Sequence, residues 1–207
     1  MAHCAALRGH PRRDTILRAV AEHDVGWIDV DAAPVVHRDN GRVADFITLA
    51  EEIRQEIWPR AVAMLADDPY AAALVAQHAL TAYGRHSSDP AWSRFFRTME
   101  DLRDSQLQAG GRSRADLDAD YPFVRLGDVI SLAFCTGSDA LQVDPWKVAV
   151  SAHRVVVTPD PFGGVIVPAE IRARQLANRP FVSDEDLRSA AAAAEWVTLR
   201  GEIAGAT

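Results

Sequence analysis

Apolar residues recur at helical spacing through the first two thirds of the chain. Ile16 and Val20 belong to one such stripe, and Gly26 ends it. Apolar residues three or four positions apart lie on one face of a helix and predict that this face is buried. The same spacing continues in segments 44–66, 69–83, 90–109 and 121–137. The pattern predicts a helical bundle over residues 1–137, in which residues 110–120 form a flexible polar connection.

The hydrophobic pattern changes after residue 137. Segments rich in β-branched residues and bounded by proline or glycine indicate strands, and they lie at 147–159, 163–176 and 195–203. An alanine-rich helix near 184–195 separates the last two. The expected fold class is therefore mainly α, with a domain of residues 138–207 as a small C-terminal α+β extension packed on the bundle. Trp146 and Phe162 are the expected anchors of this extension.

Two polar residues extend the apolar stripe of the first helix. His23 follows Ile16 by seven positions and Asp24 follows Leu17 by seven, which places both on the inward face. A buried carboxylate is costly unless a partner neutralises it. One explanation is an Asp that caps a loop amide beside a hydrogen-bonded His, and the other is a metal ion held by adjacent ligands.

Three further residues interrupt apolar faces in the same way. Asp128 lies within the most apolar helix, His78 follows Leu74 by four positions, and His3 precedes Leu7 by four. A single inward His is usually a hydrogen-bonded core residue, but the set of His3, His23, Asp24, His78 and Asp128 has the ligand types that iron, manganese, zinc or magnesium accept. His10 is an alternative to His3, although the following proline favours a loop.

The order of these residues resembles that of a known superfamily. "HDVGW" at 23–27 is similar to the His-Asp-x-Gly-Lys signature of the HD-domain metal-dependent phosphohydrolases, and "GDVISLAFC" supplies the later Asp. The closer resemblance is to a bacterial family known as domain of unknown function 3891. Its motifs are similar to "HDVGWIDVDAAP", "DPYAAALVAQH" and "GDVISLAFC", which span most of the chain.

The resemblance implies an HD-like helical bundle and a set of metal ligands. It assigns His23, Asp24 and Asp128 directly as ligands, and His3 as the first ligand. His78 is then a second-metal ligand or an acid–base group. Trp27 stands where the phosphohydrolases have lysine, so a phosphate group would depend on arginines such as Arg85 or Arg125.

Two residues near the signature complete the candidate site. Asp31 matches an aspartate of the family motif, and it is either a solvated turn residue or a proton-transfer group near the metal. Trp27 is expected to form a wall of the substrate pocket. The favoured function is a metal-dependent hydrolase that acts on a small phosphorylated or related metabolite. A di-iron oxygenase of the same superfamily and a non-catalytic, metal-stabilised scaffold are the alternatives.

Charge and cysteine content limit the partners. The formal net charge is −7 without a compensating basic block, which disfavours nucleic acids and anionic membranes as partners. Two cysteines without CxxC spacing do not make a disulfide framework. With no signal-peptide pattern, a cytoplasmic protein is expected. Its partner is then a small-molecule substrate, with a homodimer as an open alternative.

Overall fold

The computed structural model describes residues 1–137, 141–151 and 154–206. Within these ranges the α-helices are α1 (Arg13–Glu22), α2 (Ile28–Ala32), α3 (Glu51–Met64), α4 (Pro69–Ala82), α5 (Ser93–Ala109), α6 (Arg114–Thr136) and α7 (Asp184–Ala193). The strands are β1 (Leu141–Val143), β2 (Trp146–Ser151), β3 (Arg154–Thr158), β4 (Val167–Arg174) and β5 (Trp196–Gly205). The start of the predicted extension at 138–140 and residues 152–153 of the first predicted strand segment lie outside the described residues.

Helix α4 is the centre of the helical layer. Asp68 begins it by accepting a hydrogen bond from the backbone N–H of Ala71, and Pro69 occupies the first turn. Residues Ala71 to Ala76 are all fully buried, so the helix is apolar on every side. It packs against α1, α3, α5 and α6. His78 therefore lies in the protein interior.

Helix α6 begins seven residues earlier than the sequence pattern predicts. Ser113 accepts a hydrogen bond from the backbone N–H of Asp116, and the Asp116 carboxylate accepts one from the backbone N–H of Ser113. This reciprocal capping box starts the helix within the segment 110–120. The prediction of a flexible connection there is wrong, because the capping box and the buried side chain of Asp120 make its second half helical.

The strands form one mixed sheet in the order β1-β2-β3-β5-β4. Only the β3–β5 pair is parallel, and the other described pairs are antiparallel. Side chains from β1, β2 and β3 pack with Phe162 against the second half of α6. Helix α6 therefore contributes to two hydrophobic cores, one among the helices and one with the sheet.

The fold class is α+β, and the prediction of a mainly α protein with a small tail is wrong. Strands β4 and β5 have eight and ten residues, and the sheet contains five strands with a hydrophobic core of its own. The helices do precede the strands, apart from α7, and residues 44–107 contain no strand. The prediction underestimated the size and role of the sheet. Its strands pair over long distances in the chain, and a local sequence pattern does not show such pairing.

A buried ion-pair cluster fixes the start of α1 to α4 and α6. Asp120 is fully buried, and both of its carboxylate oxygens accept from the Arg12 guanidinium, one of them at 3.1 Å. The Tyr70 hydroxyl donates to the same carboxylate at 2.8 Å. His10 Nε2 lies 3.4 Å from Asp120, so this alternative metal ligand belongs to the ion-pair cluster instead.

Candidate metal centre and cavity

The turn after α1 holds the His23–Asp24 pair. Helix α1 ends at Glu22, and a short 3-10 helix at Val25–Trp27 leads into α2. The His23 side chain is buried, whereas the Asp24 side chain is 60% exposed. The expectation that both side chains face inward therefore holds for His23 alone, because the chain leaves helical geometry before Asp24.

The backbone determines the tautomer of His23. Its Nδ1 lies 2.9 Å from the carbonyl oxygen of Val20, which can only accept, so Nδ1 carries the proton. Nε2 is then the ring nitrogen that can take up a second proton or bind a metal ion. This atom is buried and makes no well-formed hydrogen bond among the described residues, although the carboxylates of Asp24 and Asp128 lie close to it. A buried imidazole nitrogen with its other nitrogen fixed by a carbonyl is typical of a metal ligand.

Three side chains from three helical elements converge at this nitrogen. One ligand atom from each of His23, His78 and Asp128 lies within 4.8 Å of the other two. Asp24 Oδ2 is 3.2 Å and Asp128 Oδ1 is 3.7 Å from His23 Nε2. His78 Nε2 is 3.9 Å from Asp128 Oδ2. The donor set of two imidazoles and one carboxylate, with Asp24 beside it, fits a divalent transition metal.

The electrostatics of the cluster favour a cation at the same point. Burial alone would lower the pKa of His23, but the carboxylates of Asp128 and Asp24 outweigh it and raise this pKa to about 10. Burial likewise opposes ionisation of Asp128, but His23, His78 and Arg125 lower its pKa. Burial lowers the pKa of His78 to about 4, so its ring is neutral at pH 7. At pH 7 the positive charge beside the two carboxylates is therefore the second proton of His23, and a bound metal ion would replace that proton.

A cavity of about 470 Å³ opens onto the cluster. His78 and Asp128 lie at its inner end, and Trp27, Asp31 and Arg85 also line it. Trp27 is buried, as expected for a wall residue, while Asp31 and Arg85 are exposed. Burial and the neighbouring Asp24 raise the pKa of Asp31, which suits a group that exchanges protons.

His3 does not lie with the other predicted ligands. A turn at the start of the chain, closed by the Cys4 N–H donating to the Met1 carbonyl at 2.8 Å, buries Cys4 and Leu7 in the core. The same turn leaves His3 exposed. Within the described residues, the three-residue cluster does not include it.

Tyr121 and Trp58 were missing from the sequence-based set of site residues, and Arg125 is predicted there only as a contact for phosphate. Tyr121 places its hydroxyl 3.4 Å from His78 Nδ1, Arg125 is hydrogen-bonded to Asp128, and the Trp58 ring lies 5.5 Å from the His78 ring. In the His78 tautomer with a free Nε2, Nδ1 donates to the Tyr121 hydroxyl. Arg125 and Tyr121 precede Asp128 by three and seven positions, so helical spacing from Asp128 would have indicated both.

A second His/Asp/Glu cluster lies near the exposed ends of α3 and α5. Ligand atoms of Glu51, His86 and Asp89 lie within 4.8 Å of one another. Arg85 Nε donates to His86 Nε2 at 3.0 Å, and the His86 ring stacks on Trp92 at 4.5 Å. The arginine occupies the acceptor nitrogen of His86, so this cluster is better explained as a surface ion-pair network.

Gly26 allows the His23 turn to lie directly against α3. A Cβ atom at Gly26 would collide with the backbone carbonyl of Ile57 and lie 3.1 Å from the Ala61 Cβ. We expect Gly26→Ala to lower the free energy of unfolding by about 1–3 kcal/mol, as for overpacking elsewhere, and to weaken metal binding by displacing His23. Gly84→Ala is the control, because a Cβ there meets nothing within 4 Å. Equal unfolding free energies of the two variants in urea titrations would contradict the prediction.

The fold and the cluster define an α+β protein with a candidate His/Asp cation site beside a cavity. The family described as "Protein of unknown function (DUF3891)" matches residues 5–185, and the chain belongs to this family. This confirms the closer of the two predicted resemblances, and no HD-domain family was matched alongside it. No curated protein and no solved structure matches the chain. No helix among the described residues is long and apolar enough to cross a membrane.

Proposed function

We propose that this protein is a metal-dependent hydrolase of HD type that acts on a small phosphorylated metabolite. One observation carries the proposal: His23, His78 and Asp128 present ligand atoms within 4.8 Å of one another at the inner end of a cavity. The Nε2 atom of His23 supports metal binding over a purely structural cluster, because it is buried beside two carboxylates and makes no well-formed hydrogen bond to either. The order of His23, Asp24 and Asp128 in the chain, which resembles that of the HD phosphohydrolases, supports the reaction type.

The side chains that line the cavity can fill the separate roles that hydrolysis of a phosphate ester requires. A cation bound by His23, His78 and Asp128 would supply Lewis-acid chemistry, which polarises the phosphoryl group and acidifies a water molecule. Arg125 and Arg85 line the same cavity and offer donors to phosphate oxygens. Asp31, with its raised pKa, would deliver a proton to the leaving alcohol. His78 is fully buried and neutral, which assigns it to ligation and leaves proton transfer to Asp31.

The balance of the reaction is simple. Water forms a new P–O bond, the P–O bond to the alcohol breaks, one water proton ends on the alcohol and the other on the phosphate. No oxidant or reductant is needed. The residues required are an anion-binding pair, a proton carrier and the metal ligands, and each has a candidate lining the cavity or directly beneath it.

The donor set also supports a second candidate. Two His and one carboxylate with open positions are the ligands of many non-haem iron oxygenases. This would be a mononuclear version of the oxygenase alternative, since the next histidine along the chain, His86, lies in the arginine-bound surface cluster. The two arginines in the cavity favour the hydrolase, because an oxygenase does not require them.

The metal content of the protein tests the proposal. Protein purified without a metal-affinity tag is expected to contain about one equivalent of iron, manganese or zinc by elemental analysis. After chelation and reloading with Mn²⁺, Zn²⁺, Fe²⁺ or Mg²⁺, at least one ion should restore release of phosphate from p-nitrophenyl phosphate. Oxygen consumption with Fe²⁺ and no phosphate release would favour the oxygenase. A protein that binds metal and does neither would support the scaffold alternative.

A further inference from the structure

The cavity has two chemically different parts. Its inner end carries His78, Asp128 and Arg125. Toward the mouth, the walls come largely from the loop of residues 34–49, between α2 and α3, and from one apolar side chain of α6. These wall residues are Pro34, Val35, Val43, Phe46, Ile47 and Leu132. A substrate that reaches the inner end therefore passes along this apolar wall, whereas the exposed Asp31 and Arg85 line the cavity from other elements.

Asp45 is the polar side chain of this loop that lines the cavity, and the loop itself occupies one of its two carboxylate oxygens. Asp45 Oδ1 accepts from the backbone N–H groups of Ile47 and Thr48 and from the Thr48 hydroxyl, at 2.8–3.0 Å. These bonds lower the pKa of Asp45 against the effect of its burial. Sugar hydroxyls or a nucleobase would need several free donors and acceptors at this position, and this loop offers them only the second carboxylate oxygen of Asp45.

The 34–49 loop is fixed by two hydrogen bonds to the C-terminal part of the chain. The Phe181 N–H donates to the Gly41 carbonyl at 2.6 Å, and the Val36 N–H donates to Asp184 at 2.8 Å. These bonds tie the loop to the segment before α7 and to the first residue of α7. Phe46 and Ile47 are nevertheless 46% and 49% exposed. Contiguous exposed apolar side chains beside a cavity are typical of a ligand-binding surface.

From these observations we infer that the substrate is a phosphate monoester with an apolar body, in which the phosphate lies at the metal centre and an alkyl or aryl group lies under the 34–49 loop. The inference rests on the proposed hydrolase function for the phosphate end. For the alkyl or aryl group, the inference rests on the apolar lining of the cavity. A sugar phosphate or nucleotide would leave its hydroxyl groups against Val35, Val43 and Phe46, and would be disfavoured by their lost hydration.

A homologous series of ligands measures the apolar part by binding alone. Ethyl-, butyl-, hexyl- and octylphosphonate cannot be hydrolysed, so calorimetric titration of the metal-loaded protein gives their dissociation constants directly. Each added CH₂ group is expected to tighten binding up to about fourfold until the cavity is filled. Ribose 5-phosphate and glycerol 3-phosphate should bind more weakly than butylphosphonate. A flat series, or tighter binding of the sugar phosphate, would overturn the inference.

A pair of matched variants tests whether the alkyl chain binds under the 34–49 loop. Ile47→Ser should reduce the affinity for octylphosphonate by about fivefold to tenfold, and the gradient along the series should flatten. Ile166→Ser is the control, because Ile166 is 51% exposed and does not line the cavity. Equal gradients in both variants would place the alkyl chain elsewhere and overturn the inference.

Hydrolysis of the corresponding alkyl phosphates separates this inference from the proposed function. Phosphate release that increases from ethyl to octyl phosphate supports both. A steep binding gradient without phosphate release under any metal would overturn the hydrolase proposal and support the apolar binding site. Release from all esters at equal kcat/KM would support the hydrolase and overturn the apolar substrate class.

Discussion

Asp128→Asn is expected to weaken divalent metal binding by more than about 100-fold and to abolish phosphate release. Asp128 is the carboxylate of the three-residue cluster, and asparagine keeps its shape without its charge. Loss of a group that merely supports a ligand already costs about 10–100-fold in metal affinity, so loss of a ligand should cost more. The helical fold should persist, because the apolar neighbours of Asp128 on α6 are unchanged.

Titration calorimetry with Mn²⁺ and circular dichroism measure these effects. Asp118→Asn is the control, since it makes the same change at an exposed position of the same helix. Asp24→Asn should lie between the two, with a loss of about 10–100-fold, because Asp24 contacts His23 from outside the buried cluster. If Asp128→Asn retained metal and activity, the assignment of the metal centre would be wrong.

Arg12→Met is expected to lower the free energy of unfolding by about 3 kcal/mol, at the lower end of the range for breaking a buried ion pair. The change leaves the Asp120 carboxylate fully buried with Tyr70 and His10 as its remaining partners. Methionine keeps the apolar part of the arginine side chain. The loss of unfolding free energy therefore measures the contribution of the guanidinium charge and its hydrogen bonds.

Urea denaturation of three further proteins tests this explanation. The double variant Arg12→Met/Asp120→Leu should recover much of the lost stability, because no buried charge is then left unpaired. Arg18→Met breaks the ion pair with Asp67 on the exposed side of α1, and should cost far less. A double variant less stable than Arg12→Met would show that the ion pair itself is the main contribution.

Much of the candidate site could be predicted from side-chain spacing. His78 and Asp128 interrupt apolar stripes in long helices, where the helical period determines direction, and both lie in the cluster. Asp24 was expected on the inward face because the period was continued to Gly26. Helix α1 ends at Glu22, so the direction of Asp24 depends on a turn that spacing does not describe. His3 lies in another such turn.

The fold was harder to predict because its sheet depends on distant pairings. The three predicted strand segments coincide with β2 and β3 together, with β4 and with β5, whereas β1 is not predicted. Local pattern contains no information that β5 lies between β3 and β4, or that it runs parallel to β3. Without that order the strands were interpreted as a small extension. Residues 113–120 were missed for another reason, since their many polar side chains conceal the capping box at Ser113.

The position of β5 has a consequence for the order in which the protein acquires its structure during synthesis. Strand β5 pairs with both β3 and β4 but follows both in the chain. The helical layer, with local contacts that form early, can assemble while the ribosome is still adding the sheet. Until β5 emerges, β4 has no partner and β3 has one open edge. The nascent chain therefore presents unpaired strand edges at the moment when the helices that carry the candidate metal centre are already in place.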